Sequence, residues 1–354
     1  MSNWTHTPAG KIRARGAGIP FQGKPGPNNA VTDVEGVQVG YTTLIEGESI
    51  RTGVTGILPR PKSTLGTPVF AGSHSLNGNG ELTGTIWMEE AGQCNGPITI
   101  TNTHSCGIAR DASIKWMTKN VEHMNQWSLP VAGETYDGQL NDINGFHVKE
   151  EHVFKSLDQA CGGPIEEGSV GGGTGMICYD YKGGSGTSSR LVQAGGMEVT
   201  IGAFVQANFG LRHQLSIAGV PVGRSLGEES LKNERGSIIG IVATNAPLLP
   251  HQLKRLARRV SLGVGRSGAI SGHGSGDIFM AFSTANAEAF NHKNILSAAN
   301  FIPDEHLDKI FEAVIQSIDE AILNTLFANE TMKGINGKIV EALPHEQVLK
   351  ILRN

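Results

Sequence analysis

Ser237 stands directly after a glycine and directly before an apolar run. The segment reads Asn233-Glu234-Arg235-Gly236-Ser237-Ile238-Ile239-Gly240-Ile241-Val242-Ala243-Thr244-Asn245. Charge stops at Gly236. The run Ile238 to Val242 is short, apolar and β-branched, as a buried strand is. A hydroxyl is therefore placed at the first position of a strand entering the core. Gly236 has no Cβ, so a nucleophile can reach its carbonyl. The chemistry this permits is self-cleavage. The Ser237 hydroxyl attacks the Gly236 carbonyl, the peptide shifts to an ester, and water releases it. Ser237 is then a new N-terminus carrying a nucleophile beside its own amine, a known way to activate a weak hydroxyl. The unperturbed pKa of such an amine, roughly 7.7–8.0, suits a general base at neutral pH. Gly-Ser before a strand also suits an ordinary turn. Local residues alone leave both readings open.

Three more segments offer polar groups. Gly272-His273-Gly274-Ser275-Gly276-Asp277 precedes an apolar run, and its glycines let Ser275 and Asp277 approach another backbone closely. Glu134-Thr135-Tyr136-Asp137-Gly138 leaves a strand into a polar loop. Asn208, in Gln206-Ala207-Asn208-Phe209-Gly210, has an amide that can donate to a tetrahedral oxyanion. One such donor is worth about 10²–10³ in kcat. A capped glycine hairpin, a packing tyrosine and a post-strand turn are the plain alternatives.

The elements that must hold these groups follow from periodicity. Val34, Val37 and Val39, broken by Gly36, suggest short strands joined by a tight turn. Residues 66–90 continue that strand pattern through Thr83-Gly84-Thr85-Ile86-Trp87-Met88. Residues 97–104 alternate like a half-buried strand. Met197 to Asn208 and Asp277 to Thr284 are expected as strands. Helices are expected over 109–120, around 147–160, over 250–264 with Pro250 in the first turn, and over 303–328. No Pro/Ser-rich linker divides the chain, so residues 1–354 form one expected α/β domain.

Composition narrows the function classes. The chain has 354 residues, 38% hydrophobic and 18% charged, with 48 glycines spread without a period. It can build a core and needs many close backbone contacts. The net charge of −4 gives no case for nucleic acid or an anionic membrane. No apolar stretch approaches the roughly 18 residues of a span, and residues 1–20 lack an apolar signal core. A cytoplasmic location is the default. The four cysteines form no CxxC and are expected as buried free thiols; with no HExxH either, no metal and no cofactor are expected. The loop Gly168-Ser169-Val170-Gly171-Gly172-Gly173-Thr174-Gly175 lacks the ending of a P-loop and the dinucleotide spacing.

The long run from Gly236-Ser237 through Leu248-Leu249-Pro250-His251-Gln252-Leu253-Lys254-Arg255 resembles the cleavage-site region of the L-aminopeptidase/D-amidase-esterase family, which includes the β-peptidyl aminopeptidases. The resemblance extends from Arg13 to about Ala328. It implies a four-layer αββα sandwich, similar in layout to N-terminal-nucleophile hydrolases but differently connected. It implies fragments 1–236 and 237–354 after cleavage between Gly236 and Ser237, and homotetramers of cleaved subunits. Ser237 would be the nucleophile, supported by Ser275 and Asp277. The family's acid there is often glutamate, and Asp277 is one methylene shorter. Tyr136 matches a site position, and Glu134 matches the acid that meets the substrate's free amine; Asn208 stays a candidate oxyanion donor on its amide chemistry alone. A carboxylate suits a substrate ammonium. The expected function is a self-processing serine aminopeptidase acting on short peptides, amides or esters. A self-cleaving acyltransferase of the ornithine acetyltransferase kind, which uses threonine, and a non-catalytic glycine-rich binding protein are the alternatives.

Overall fold

The computed structural model describes residues 2–122, 127–227, 236–291 and 293–353. The charged run Asn233 to Arg235 lies outside them. In chain order the elements are β1 (Gln38–Glu46), β2 (Ile50–Leu58), β3 (Val69–Gly78), α1 (Thr85–Ala91), β4 (Gln93–Cys94), β5 (Ile98–Asn102), α2 (Cys106–Asn120), β6 (Val131–Thr135) and α3 (Glu150–Asp158). There follow β7 (Ile177–Cys178), β8 (Tyr181–Lys182), β9 (Gly184–Ala194), β10 (Met197–Asn208), β11 (Ser237–Thr244), α4 (Pro250–Arg266), β12 (Gly276–Ser283), α5 (Asp308–Phe327), β13 (Met332–Lys333), β14 (Ile339–Val340) and α6 (His345–Arg353).

Two sheets lie between two helix layers. One sheet has the order β1-β2-β5-β6 and the other β4-β3-β12-β11-β10-β9. Val39, Ile57, Ile98 and Ile100 of the first meet Phe204, Ile239, Ile241 and Met280 of the second in one core. Trp116, Met117, Val153 and Leu157, from α2 and α3, cover the outer face of the first sheet. Leu253, Leu256 and Val260 of α4, with Ile310, Val314, Ile318 and Ile322 of α5, cover the outer face of the second. The helical spacing of those residues put them on one face of each helix. The result is the expected αββα sandwich.

The position of β11 explains its composition. It lies mid-sheet, antiparallel to β10 and parallel to β12. Ile239, Ile241 and Ala243 point between the sheets, while Ile238 and Val242 point at the helices. A strand covered on both faces is apolar at every position. Ser237 shares the parity of Ile239, so it faces the other sheet.

Four expectations change. Residues 85–91 form α1 rather than a strand. Gly84 and Gly92 bracket that helix with φ of 77° and 67°, and the Gly92 N–H caps it on the Met88 carbonyl. Only Met88 of α1 is buried, so no alternation operates there. β5 is wholly buried rather than half-buried, because α2 covers its second face. Its polar residues are absorbed: the Thr101 hydroxyl donates to the Gly53 carbonyl at 2.7 Å. Val31–Asp33 is a 3₁₀ turn, so strand structure begins at Gln38 and not at Val34. Cys94, Cys106 and Cys178 are buried cysteines outside any disulfide among the described residues, but Cys161 is exposed.

The glycine-rich loop packs against the sheets. A Cβ on Gly172 would sit 2.5 Å from the Ile100 carbonyl oxygen, so that loop is glycine-rich for close approach. Among the described residues, no helix is long and apolar enough to cross a membrane.

Candidate active site

The two sheets part at the Ser237 end of β11 and leave a cavity of ≈ 380 Å³, lined by Asn79, Thr103, Glu134, Tyr136, Ser237 and Gly274. Ser237 is 5% exposed. Its Oγ accepts a hydrogen bond from the Gly276 N–H at 3.0 Å. The preceding glycine is required by space, because a Cβ on Gly236 would lie 1.7 Å from the Asn208 carbonyl oxygen.

Asn208 sits directly opposite Ser237 in the β10–β11 ladder. Opposed residues of an antiparallel pair project to the same face, so the amide and the hydroxyl share the cavity side. The Ile177 N–H donates to Asn208 Oδ1 at 2.8 Å, and Asn208 Nδ2 donates to the Tyr136 carbonyl at 2.9 Å. Those partners fix which end of the amide is nitrogen, since a flip would oppose donor to donor. One N–H of Nδ2 is left over among the described residues.

Asp277 lies at the start of β12. The Ser275 hydroxyl donates to its Oδ1, and the Ile238 N–H donates to the same oxygen at 3.2 Å. The shorter acid therefore reaches both its serine and the residue after the nucleophile. Burial raises the Asp277 carboxyl above the usual carboxylate range, opposed by the Ser271 and Ser275 hydroxyls and the Ile238 N–H.

Glu134 and Tyr136 come from the other sheet. Glu134 is 3% exposed, and its Oε1 accepts from the Glu81 N–H at 3.0 Å. Burial raises its carboxyl, while the Thr103 hydroxyl, the Glu81 N–H and His104 pull it back. No ion pair is formed by Glu134 among the described residues. Tyr136 is 38% exposed, and a Cβ on Gly138 would lie 2.5 Å from its hydroxyl oxygen. The buried Gln206 Nε2 braces the two sheets by donating to the Thr101 carbonyl and the Thr135 hydroxyl.

The expected residues Ser237, Ser275, Asp277, Asn208, Tyr136 and Glu134 thus converge from four strands of two sheets. Asn79, Thr103 and the Gly276 N–H were not anticipated. Gly78-Asn79-Gly80 carries only the signature of a turn, and a backbone N–H leaves no mark on sequence. His273 is exposed, and among the described residues no histidine lines the cavity.

The profile of peptidase family S58 matches residues 29–340. The chain belongs to that family. It is therefore a hydrolase acting on peptide bonds, and neither the acyltransferase nor the binding-protein alternative is needed. It is 49% identical to the β-peptidyl aminopeptidase of Sphingosinicella microcystinivorans over 96% of this chain and 92% of that relative. The L-aminopeptidase D-Ala-esterase/amidase of Ochrobactrum anthropi superposes with a TM-score of 0.92 at 48% identity, over 96% of this chain and 98% of that one. That structure is described as a prototype for the serine aminopeptidases and a new variant of the Ntn hydrolase fold. A Burkholderia sp. β-aminopeptidase superposes with a TM-score of 0.89 at 45% identity, over 97% and 98% of the two chains.

Proposed function

We propose that this S58 peptidase cleaves itself between Gly236 and Ser237 and then removes N-terminal residues from short peptides, amides or esters. The observation that carries this reading is the pairing, in one ≈ 380 Å³ cavity, of Ser237 with the buried carboxylate of Glu134. A buried carboxylate with hydrogen bonds but no opposite charge beside it still carries much of its desolvation cost, several kcal/mol per ion. A substrate ammonium offsets that cost, so the cavity favours a free amine.

In the precursor, Ser237 Oγ attacks the Gly236 carbonyl carbon and the C–N bond breaks. The Gly236 acyl group moves to oxygen, and the Ser237 nitrogen becomes an amine. Water hydrolyses the ester, leaving a Gly236 carboxylate and restoring the Ser237 hydroxyl. β11 stays hydrogen-bonded between β10 and β12 along its length, so the fragments 1–236 and 237–354 remain one body.

In turnover, Glu134 holds the substrate's ammonium and so sets the scissile carbonyl over Ser237. The Ser237 amine takes the Oγ proton as Oγ attacks, with Ser275 as relay and Asp277 holding that relay. The oxyanion accepts from the free N–H of Asn208, and Tyr136 stands at the same wall. The leaving amine or alcohol departs with a proton. Water repeats the attack on the acyl-serine and releases the N-terminal residue. The family resemblance adds assembly as a homotetramer of cleaved subunits to the proposal.

A denaturing gel with N-terminal sequencing tests it. Two fragments are expected, the smaller beginning Ser-Ile-Ile-Gly. Ser237→Ala is expected to remain one chain without peptidase activity. An intact wild-type chain, or a different start, removes the reading.

A further inference from the structure

The Asn208 amide oxygen is held by a hairpin of costly construction. β7 and β8 are joined by Tyr179 and Asp180, with φ of 52° and 62°. A two-residue turn with both central residues left-handed is normally Asn-Gly, Asp-Gly or Gly-Gly. An aromatic residue in that region is strained and persists only where its surroundings over-determine it.

The surroundings here do so. The Tyr179 N–H donates to the Phe209 carbonyl at 2.8 Å, and the Tyr179 and Ser267 hydroxyls are 2.6 Å apart. Asp180 pairs with Arg212 at 2.9 Å, and the Arg212 guanidinium lies 4.6 Å from the Tyr181 ring centroid. Lys182 is fully buried, and its Nζ donates to the Met176 and Gly183 carbonyls, each at 2.7 Å. It makes no ion pair among the described residues and ties the hairpin's two ends together. Burial and the charge of Lys11 bring its ammonium down to about 7. Ammonium and amine both keep two N–H donors, so the clasp holds in either form.

Strain of this kind gathers at functional sites. The hairpin's first strand residue, Ile177, is the one whose N–H fixes Asn208 Oδ1. We propose that the 176–183 hairpin is a positioning device for the Asn208 amide, with Lys182 as the positioning residue that closes it. With Oδ1 held by Ile177 and one N–H held by the Tyr136 carbonyl, the remaining N–H has one direction left. This rests on Asn208 as the oxyanion donor.

The test is a double-mutant cycle on the self-processed enzyme, with kcat referred to titrated active sites. Asn208→Ala is expected to lower kcat by about 100-fold. Lys182→Met is expected to lower kcat by about 10- to 100-fold, with KM within about threefold. Asp180→Asn removes the Arg212 pair, keeps a residue tolerant of the left-handed region, and is expected to cost about three- to tenfold in kcat. Each double variant with Asn208→Ala is expected to match Asn208→Ala alone, because coupled residues are not additive. A hairpin that only supports the core would lower stability and the titrated fraction while kcat per site stayed put, and additive losses would likewise overturn the inference. Where Lys182→Met does not fold, the Asp180→Asn cycle decides. Unchanged kcat in Asn208→Ala removes the oxyanion reading and the inference with it; a fall there beside additive hairpin variants removes the inference alone.

Discussion

Two short segments flank the Ser237 end of β11, and they are built in opposite ways. On the β12 side, residues 272–277 carry three glycines. Asn77 Nδ2 straps that loop at the Gly272 carbonyl (2.6 Å), and Asn79 Nδ2 straps it at the Gly274 carbonyl (2.8 Å). On the β10 side, residues 176–183 put Tyr179 and Asp180 into left-handed backbone and hold them with an ion pair, a ring contact and a buried lysine. The first segment touches the nucleophile, through the Gly276 N–H. The second touches only the amide that faces it. Backbone that must lie against a reacting oxygen does so by omitting side chains. Backbone that must only hold a neighbour rigid can keep them, provided each is anchored.

The sharpest way to break this contrast is to add one methyl group on the glycine side. A Cβ on Gly276 would sit 2.3 Å from the Asn79 carbonyl oxygen, and a backbone atom cannot swing away as a side chain can. Gly276→Ala is therefore expected to displace the N–H that holds Ser237 Oγ. A misplacement near 1 Å can cost about 10² in rate, and a loss of that order in kcat is expected, with slower self-cleavage on a gel. Activity within about threefold of wild type would show that the N–H is not needed where it stands.

The contrast also explains what the sequence could show. Glycine before serine, and glycine around Ser275 and Asp277, are visible because omission of a side chain is written in the residue type. β11, α4 and α5 are visible because burial is written in their period. The Tyr179-Asp180-Tyr181-Lys182 hairpin is not, since nothing in those four residues spells a turn. Its conformation comes from Arg212, Ser267 and Phe209, far along the chain. α1 misreads as strand for a related reason: Ile86 is 88% exposed, so the apolar residues there report no core. The meeting of Glu134 with Ser237 is invisible to spacing as well, because β6 and β11 belong to different sheets. Only the family resemblance brought them together beforehand.

Glu134 sharpens the comparison from the opposite wall, where a buried carboxylate is held by the Glu81 N–H but has no ion-pair partner among the described residues. Leaving a buried charge unpartnered costs about 2–5 kcal/mol in comparable pairs. Glu134→Gln is therefore expected to lower kcat/KM for free-amine p-nitroanilides by roughly 30-fold or more, and for N-acetylated ones by less than about threefold. The pH dependence carries a sign. Burial raises the Glu134 carboxyl, so the binding form is the ionised one, present above that raised value and lost as pH falls through it. KM for free-amine substrates is expected to climb on the acid side in wild type and to stay flat in Glu134→Gln. Equal losses on both substrate classes would take Glu134 out of this role.

The smallest expected effect tests the glycine-side loop as an electrostatic element rather than a steric one. Ser237 needs a base, and among the described residues no histidine lines the cavity. The remaining candidate is the amine that cleavage creates at Ser237, next to Ile238, whose N–H is already bound to Asp277. An amine serves as a base only when neutral, so activity rises as pH passes its pKa, which is roughly 8 when unperturbed. The Asp277 charge stabilises the ammonium and moves that pKa up, whereas burial moves it down. Asp277→Asn removes the first effect and leaves the second. The rising limb of kcat/KM is therefore expected to move toward lower pH by about one unit, with a lower plateau because Ser275 loses its carboxylate partner. His273→Ala is expected to leave the limb where it is, since the His273 side chain is exposed and is not among the residues lining the cavity. A limb that disappears in His273→Ala and stays fixed in Asp277→Asn would mean that the histidine is the base, and that the glycine loop serves the nucleophile by shape alone.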